Sequence, residues 1–189
     1  MIRQALLTAA LFALPLAATA QEPANCTLSP DHWVAEVAPM LDGFWQVNSR
    51  VGTLEMAGRV IPLPPGPAST AGITHQADGA LTISSDMIGG DYPLDWADPG
   101  QRWNFTPGPE VPVNAADFPD DEDLALLTGC EDANTLPRLR ATGSFTETEG
   151  RVEFDLLLFV VDANALYGVT IGRLNGGQGT ARRILTFTR

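Results

Sequence analysis

The last fifty residues constrain the fold most. From Leu139 to Thr188, apolar and polar side chains alternate with a period of two, and three short turn signals interrupt them: Glu149-Gly150, Asp162-Ala163-Asn164 and Asn175-Gly176-Gly177. A helix repeats its apolar face every 3.6 residues, so this period predicts strands. Val152, Phe154, Leu156, Leu158 and Val160 fall on one face of one strand. Asn-Gly-Gly supplies the positive φ angles that tight hairpins need. Four strands joined by short turns predict an antiparallel meander. Leu157 to Val161 is apolar at every position, whereas Val152 to Leu156 alternates with Glu153 and Asp155. A strand that is apolar on both faces must be covered on both.

Upstream, Ser29-Pro30-Asp31 reads as a helix start, with Ser as N-cap and Pro in the first turn. Trp33, Val34, Val37 and Ala38 follow at helical spacing, and Pro39 predicts the stop. Strands are then expected over Phe44–Arg50, over Thr53–Leu63 with Gly58 in its middle, and over Ile73–Gln76 and Ala80–Ile88 around the turn Asp78-Gly79. Pro62 to Pro67 is a stiff, proline-rich loop. Asp91 to Asp123 is irregular and rich in Pro, Gly and Asp, with a short strand expected at Arg102–Thr106 and one helical turn at Leu124–Leu127. The sum predicts an all-β domain: an antiparallel up-and-down barrel of about eight strands with a short N-terminal helix, the alternative being a β-sandwich.

Residues 1–20 read as a signal peptide. Arg3 precedes an apolar run from Ala5 to Ala18, and Ala18-Thr19-Ala20 is a small-x-small cleavage site. Cleavage after Ala20 leaves one domain, 21–189, with a periplasmic or secreted address, and no other stretch is apolar enough to span a membrane. That domain has 10 arginines, no lysine and 23 acids, a charge of −13. Such a balance argues against nucleic acid and against anionic membrane surfaces. The arginine-only, Ala- and Gly-rich composition fits a bacterial chain. In an oxidising compartment the two cysteines, Cys26 and Cys130, predict a disulfide. Closing a loop of this length is worth up to about 4.7 kcal/mol in the chain-entropy model. It would hold the N-terminal helix, with Trp33, as the cover for the doubly apolar strand around Phe159, the alternative cover being a dimer contact.

Gly43-Phe44-Trp45 follows the helix and opens the first strand. This resembles the lipocalin family, in which a Gly-x-Trp signature begins the first strand of an eight-stranded barrel after a short helical turn. The resemblance implies that Trp45 lies at the closed end, with an arginine or lysine of the last strand packed across it. The last strand offers Arg182, Arg183 and Arg189. If Leu185 and Phe187 face inward, so does Arg183, which is the candidate partner. The family's Thr-Asp-Tyr element between late strands is absent, and the Asp91–Asp123 stretch is atypical. Some bacterial periplasmic protease inhibitors resemble the same small barrel with an N-terminal disulfide.

Function is less legible. Only His32 and His75 are present, on different elements, and no nucleophile-elbow, zinc-helix or phosphate-cradling glycine motif appears. No catalytic residue, metal or cofactor is nominated. The acidic run Asp117–Asp123 lacks the spacing and glycine of a calcium-binding loop and reads as a solvated helix approach. Loops on a rigid barrel carry binding, so Asp91, Tyr92, Trp96 and Trp103 are the candidate ligand contacts. The first expectation is a non-enzymatic barrel that binds a small apolar or amphipathic molecule. The alternative is a periplasmic protein-interaction or inhibitor module acting through the acidic 91–123 region.

Overall fold

A computed structural model of the chain describes residues 26, 28–98, 103, 121–132 and 135–189. The signal-peptide reading, the Arg102–Thr106 strand apart from Trp103, and the start of the Asp117–Asp123 run lie outside the described residues.

Among the described residues alternation has produced ten strands: β1 (Gly43–Met56), β2 (Arg59–Leu63), β3 (Ala68–His75), β4 (Leu81–Ser85), β5 (Gly90–Pro93), β6 (Asp95–Trp96), β7 (Arg138–Glu147), β8 (Gly150–Asp162), β9 (Ala165–Leu174) and β10 (Gly179–Thr188). All pairings are antiparallel, in the order β5-β4-β3-β1-β10-β9-β8-β7-β6, with β2 also on β1. The ten strands make eight staves. β2 and β3 are one stave interrupted at Pro64–Pro67, since β1 pairs with β3 over Gly43–Asn48 and with β2 over Gly52–Met56. β5 and β6 are another. Its first half pairs with β4, Leu94 N–H donates to Leu81 O at 2.9 Å, and its second half pairs with β7. The sheet thereby returns on itself as a nearly closed up-and-down barrel. The expected C-terminal meander is β7–β10, turning where the sequence places its turns, with Asn175, Gly176 and Gly177 all at positive φ.

Two expectations at the first hairpin are corrected. The turn falls at Ala57-Gly58, both at positive φ, so Gly58 is a turn residue and β1 runs unbroken past Gly52. Gly52 is demanded by closeness, because a Cβ there would lie 2.2 Å from Arg182 O across the ladder.

The tyrosine of β5 fills the seam left where the stave changes partners. Tyr92 packs edge-on against Phe154 with ring centroids 4.8 Å apart, and its hydroxyl lies 3.1 Å from both Ile88 O and Ser144 O. Gly143 makes room for the ring: a Cβ there would sit 2.2 Å from Tyr92 Cε1.

One end of the barrel is plugged by helix α1, which runs from Pro30 to Leu41 through a π-helical turn at Trp33–Val37. Pro39 does not end it. Proline lacks an N–H to give to the preceding turn, and here the wider turn ends just before it, with Ala38 N–H bonding Trp33 O. Ser29 makes no side-chain cap and instead pairs its hydroxyl with His32 Nδ1 at 2.9 Å. Trp33, Val37 and Leu41 are buried in the barrel core, and Trp33 meets Trp96 at 5.7 Å.

The second core lies outside the barrel. Phe159, Tyr167, Val169 and Ile184 point outward from β8–β10 and are buried under Trp103, Leu124, Cys130 and Leu136. Leu124 belongs to α2 (Asp121–Thr128). Cys26 and Cys130 are disulfide-bonded, as the cysteine count suggests. The cover of the doubly apolar strand is therefore Leu124 of α2 together with Trp103, Cys130 and Leu136. The N-terminal helix caps the barrel instead.

Candidate functional site

The closed end is structural. Trp45 Nε1–H donates to Leu41 O at 3.0 Å, and the ring is 1% exposed. The cation above it is Arg189, whose Cζ stands 4.3 Å from the ring centroid. Its guanidinium also donates to Asp42 O at 2.8 Å, to Ala163 O at 2.6 Å and to Met40 O, which ties the helix end to the β8–β9 turn. Gly43, at φ +128°, lets the chain swing from helix to strand and would place a Cβ 3.4 Å from that guanidinium. The expectation of Arg183 is thus corrected. Inward parity holds for 183, 185, 187 and 189 alike, but Gln46 pairs with Thr188 and puts Trp45 beside Arg189, whereas Arg183 pairs with Gly52. Six residues separate the two arginines, roughly 20 Å along a strand.

Arg183 stands at the opposite end, at the barrel mouth. Three segments meet there. The proline loop comes in through Gly66, whose N–H donates to Ser49 O at 3.0 Å. The β4–β5 turn folds over, bringing Met87 Sδ to 3.8 Å from Ser49 Oγ and burying Ile88. Arg183 Nη1 donates to Pro64 O at 2.9 Å and to Arg50 O at 3.2 Å. Partial burial lowers the Arg183 pKa from its ordinary value, and the group stays cationic.

Below the mouth lies a small apolar cavity of about 20 Å³, bounded by Val47, Ile83, Met87, Leu156, Leu185 and Phe187, with Ser85 and Thr170 as polar groups. A space of this size, on this measure, holds about one water. Among the described residues the barrel interior is filled by buried apolar side chains, and the space left between them here is far smaller than a ligand.

Above the mouth six strands continue past the closed barrel as an open, curved sheet. Its inner face is read from the register. The first row is Leu63, Gly52, Arg183, Thr170, Leu156 and Ala141. The second is Ile61, Leu54, Ala181, Gly172, Phe154 and Gly143. The third is Arg59, Met56, Gly179, Leu174, Val152 and Phe145. Rows on one face are spaced by about 6.6 Å. Ala181 and Gly172 in the middle of the second row and Gly179 in the third, with larger residues to either side, make a groove that runs down to Arg183 in the first. Met56 and Ile61 on its wall are 41% and 47% exposed. At the tips of hairpins β1–β2 and β9–β10 a concavity of about 390 Å³ sits on the rim, bounded by Met56, Arg59, Gly177 and Gln178 and, from the outer face, by Glu55, Val60 and Thr180.

The four loop candidates do not converge. Asp91 is exposed on β5, opposite Ser84. Tyr92 fills the seam, and half-buried Trp96 packs on Trp33. Trp103 is buried outside the barrel, 5.1 Å from Phe159, with Arg138 beside both rings. A concavity of about 590 Å³ does lie beside Trp96, bounded by Asp31, Val34 and Asp98, but Trp33 at its base is 1% exposed and turned into the core. His32 pairs with Ser29, and His75 N–H donates to Asp42 Oδ2 at 2.8 Å. Among the described residues no group of three or more His, Cys, Asp or Glu is placed to hold a metal. None of their helices is long and apolar enough to cross a membrane. The groove was missed in the sequence because its signal, glycine and alanine at 52, 172, 179 and 181 on the inner parity, becomes visible only once the register is known.

No family model matches the chain, and no curated protein matches it. Among solved structures, an S-type phycobiliprotein lyase, CPES from Guillardia theta, aligns over 87% of this chain and 94% of its own, at 11% identity and a TM-score of 0.34. At that degree of superposition the likeness bears on neither the fold nor the function, and the barrel stands on its own strand order.

Proposed function

We propose that this protein is an exported, non-enzymatic binding module that holds a small amphipathic molecule at the barrel mouth, along the flared inner face. One observation carries the reading. The apolar lining of the barrel continues into an open groove whose wall exposes Met56 and Ile61, and apolar side chains left in a concavity are the usual mark of a binding surface. The packed interior moves the ligand from inside the barrel to its mouth. The signal-like segment 1–20 and the disulfide support export. Titration with N-phenyl-1-naphthylamine, a neutral fluorophore that brightens in apolar sites, tests the proposal. Saturable brightening is expected, and it should weaken at least several-fold in a Met56→Ser/Ile61→Ser variant. No saturable binding, or binding indifferent to both substitutions, overturns it.

The filled interior also favours the second reading, a protein-interaction or inhibitor module acting through the acidic 91–123 region. It predicts capture of a periplasmic partner that is lost on replacing residues 91–98. Against it stand Tyr92, Trp96 and Trp103, whose rings are spent on the seam and the two cores.

A further inference from the structure

We infer that the molecule held in the groove is an anion, and that its oxyanion head docks on Arg183. The inference rests on the groove reading above and names the chemistry of its floor. A guanidinium has five N–H donors in a planar fork. Both contacts of Arg183 use Nη1, on Pro64 O and Arg50 O. They turn the Nη1 corner into the proline loop and leave Nε–H and the Nη2 donors, the side that binds a carboxylate or phosphate with two parallel hydrogen bonds. Among the described residues, no carboxylate lies within ion-pair distance of Arg183.

The contrast with the outer face sharpens this. There Arg140 and Arg173 grip Asp155 at 2.5 and 2.6 Å, Arg182 is bonded to Glu55, and Arg151 stands 3.8 Å from Glu153. In a chain of formal charge −12, acids are abundant. Yet no position of the three inner rows carries one, and the charged residues there are Arg183 at the floor and Arg59 at the outer end. A half-buried cation with only carbonyl partners, at the foot of an apolar groove, selects for an amphipathic anion: head on Arg183, apolar chain along Ala181 and Gly172 beside Leu54 and Leu174. A fatty carboxylate and an alkyl phosphate share this chemistry.

Competition against bound N-phenyl-1-naphthylamine separates the possibilities. Dodecanoate, dodecyl phosphate and dodecanol are compared on the intact protein and on Arg183→Gln and Arg183→Lys. At least one of the two anions is expected to displace the fluorophore about tenfold or more better than dodecanol. Arg183→Gln should erase that advantage and leave dodecanol unchanged, and Arg183→Lys should restore only part of it, since a point charge lacks the fork. The better of the two anions identifies the head. If dodecanol competes as well as both anions, or if Arg183→Gln weakens all three equally, the inference is overturned while the groove reading stands. If the fluorophore does not bind the wild-type protein, the groove reading itself falls.

Discussion

Gly143→Ala should destabilise this protein, although the same change in an ordinary strand is favourable by about 0.5–1 kcal/mol, because alanine gives up less backbone freedom on folding. The reason is the seam. A Cβ at 143 would lie 2.2 and 2.5 Å from two atoms of the Tyr92 ring and 2.9 Å from Phe154 Cε1. An aromatic ring cannot yield there as a flexible chain end would. Tyr92 must swing out, forfeiting its hydroxyl hydrogen bond, worth about 1 kcal/mol, and its edge-on contact with Phe154, worth about 0.5–1.5 kcal/mol. Set against the backbone gain, with some overpacking strain added, the net loss is about 2 kcal/mol. Urea unfolding of wild type, Gly143→Ala, Tyr92→Ala and the double variant forms a cycle. In the Tyr92→Ala background the added methyl should cost close to nothing, so the coupling should be about 2 kcal/mol. A Gly143→Ala variant as stable as wild type, or a coupling below about 0.5 kcal/mol, would refute the claim that Tyr92 locks the barrel where the stave changes partners.

Arg189→Met should cost about 1–2 kcal/mol and alter Trp45 emission, whereas Arg183→Met should leave that emission as it is; the reverse pattern would restore Arg183 as the partner of Trp45. Burial alone would push the Asp155 carboxyl up, but hydrogen bonds and charge from Arg140 and Arg173 outweigh it and hold it below its ordinary value. A depressed carboxylate stabilises the fold above its unfolded pKa and loses that contribution as the pH falls through its folded one. Asp155→Asn should therefore cost about 1 kcal/mol at pH 7, with the gap closing in acid, below the usual carboxylate range; a gap constant with pH would contradict it. Replacing Cys26 and Cys130 together by alanine should lower stability by about 2–4 kcal/mol, and proteolysis should then begin around α2 while the far-UV signature of the barrel persists.

The barrel was legible because its signals are local. Strand parity in Val152–Val160, turn chemistry at Asn175-Gly176-Gly177 and the Gly43-Phe44-Trp45 opening each need only a few neighbouring residues. What was not legible depends on register. Arg183 and Arg189 share a parity, and only the pairing of Gln46 with Thr188 decides which of them meets Trp45. The double-sided apolar run at Leu157–Val161 announces that a cover exists, but whether the helix or α2 supplies it is a question of which side of the wall each lies on. Aromatic residues in the Asp91–Asp123 stretch read as loop contacts, yet three of them serve packing. The groove is written in small residues scattered over β1, β9 and β10, and nothing in the linear order joins them.

The central claim is that the ligand lies on the flared face rather than inside the barrel or on the acidic loops. Methyl-detected NMR during titration with dodecanoate tests this directly. Shifts should concentrate at Ile61, Leu54, Met56, Leu174 and Val152, and Leu124 and Leu136 of the outer core should stay still. Shifts centred on Leu94 and the 91–98 segment, or none at saturating dodecanoate, would contradict the account.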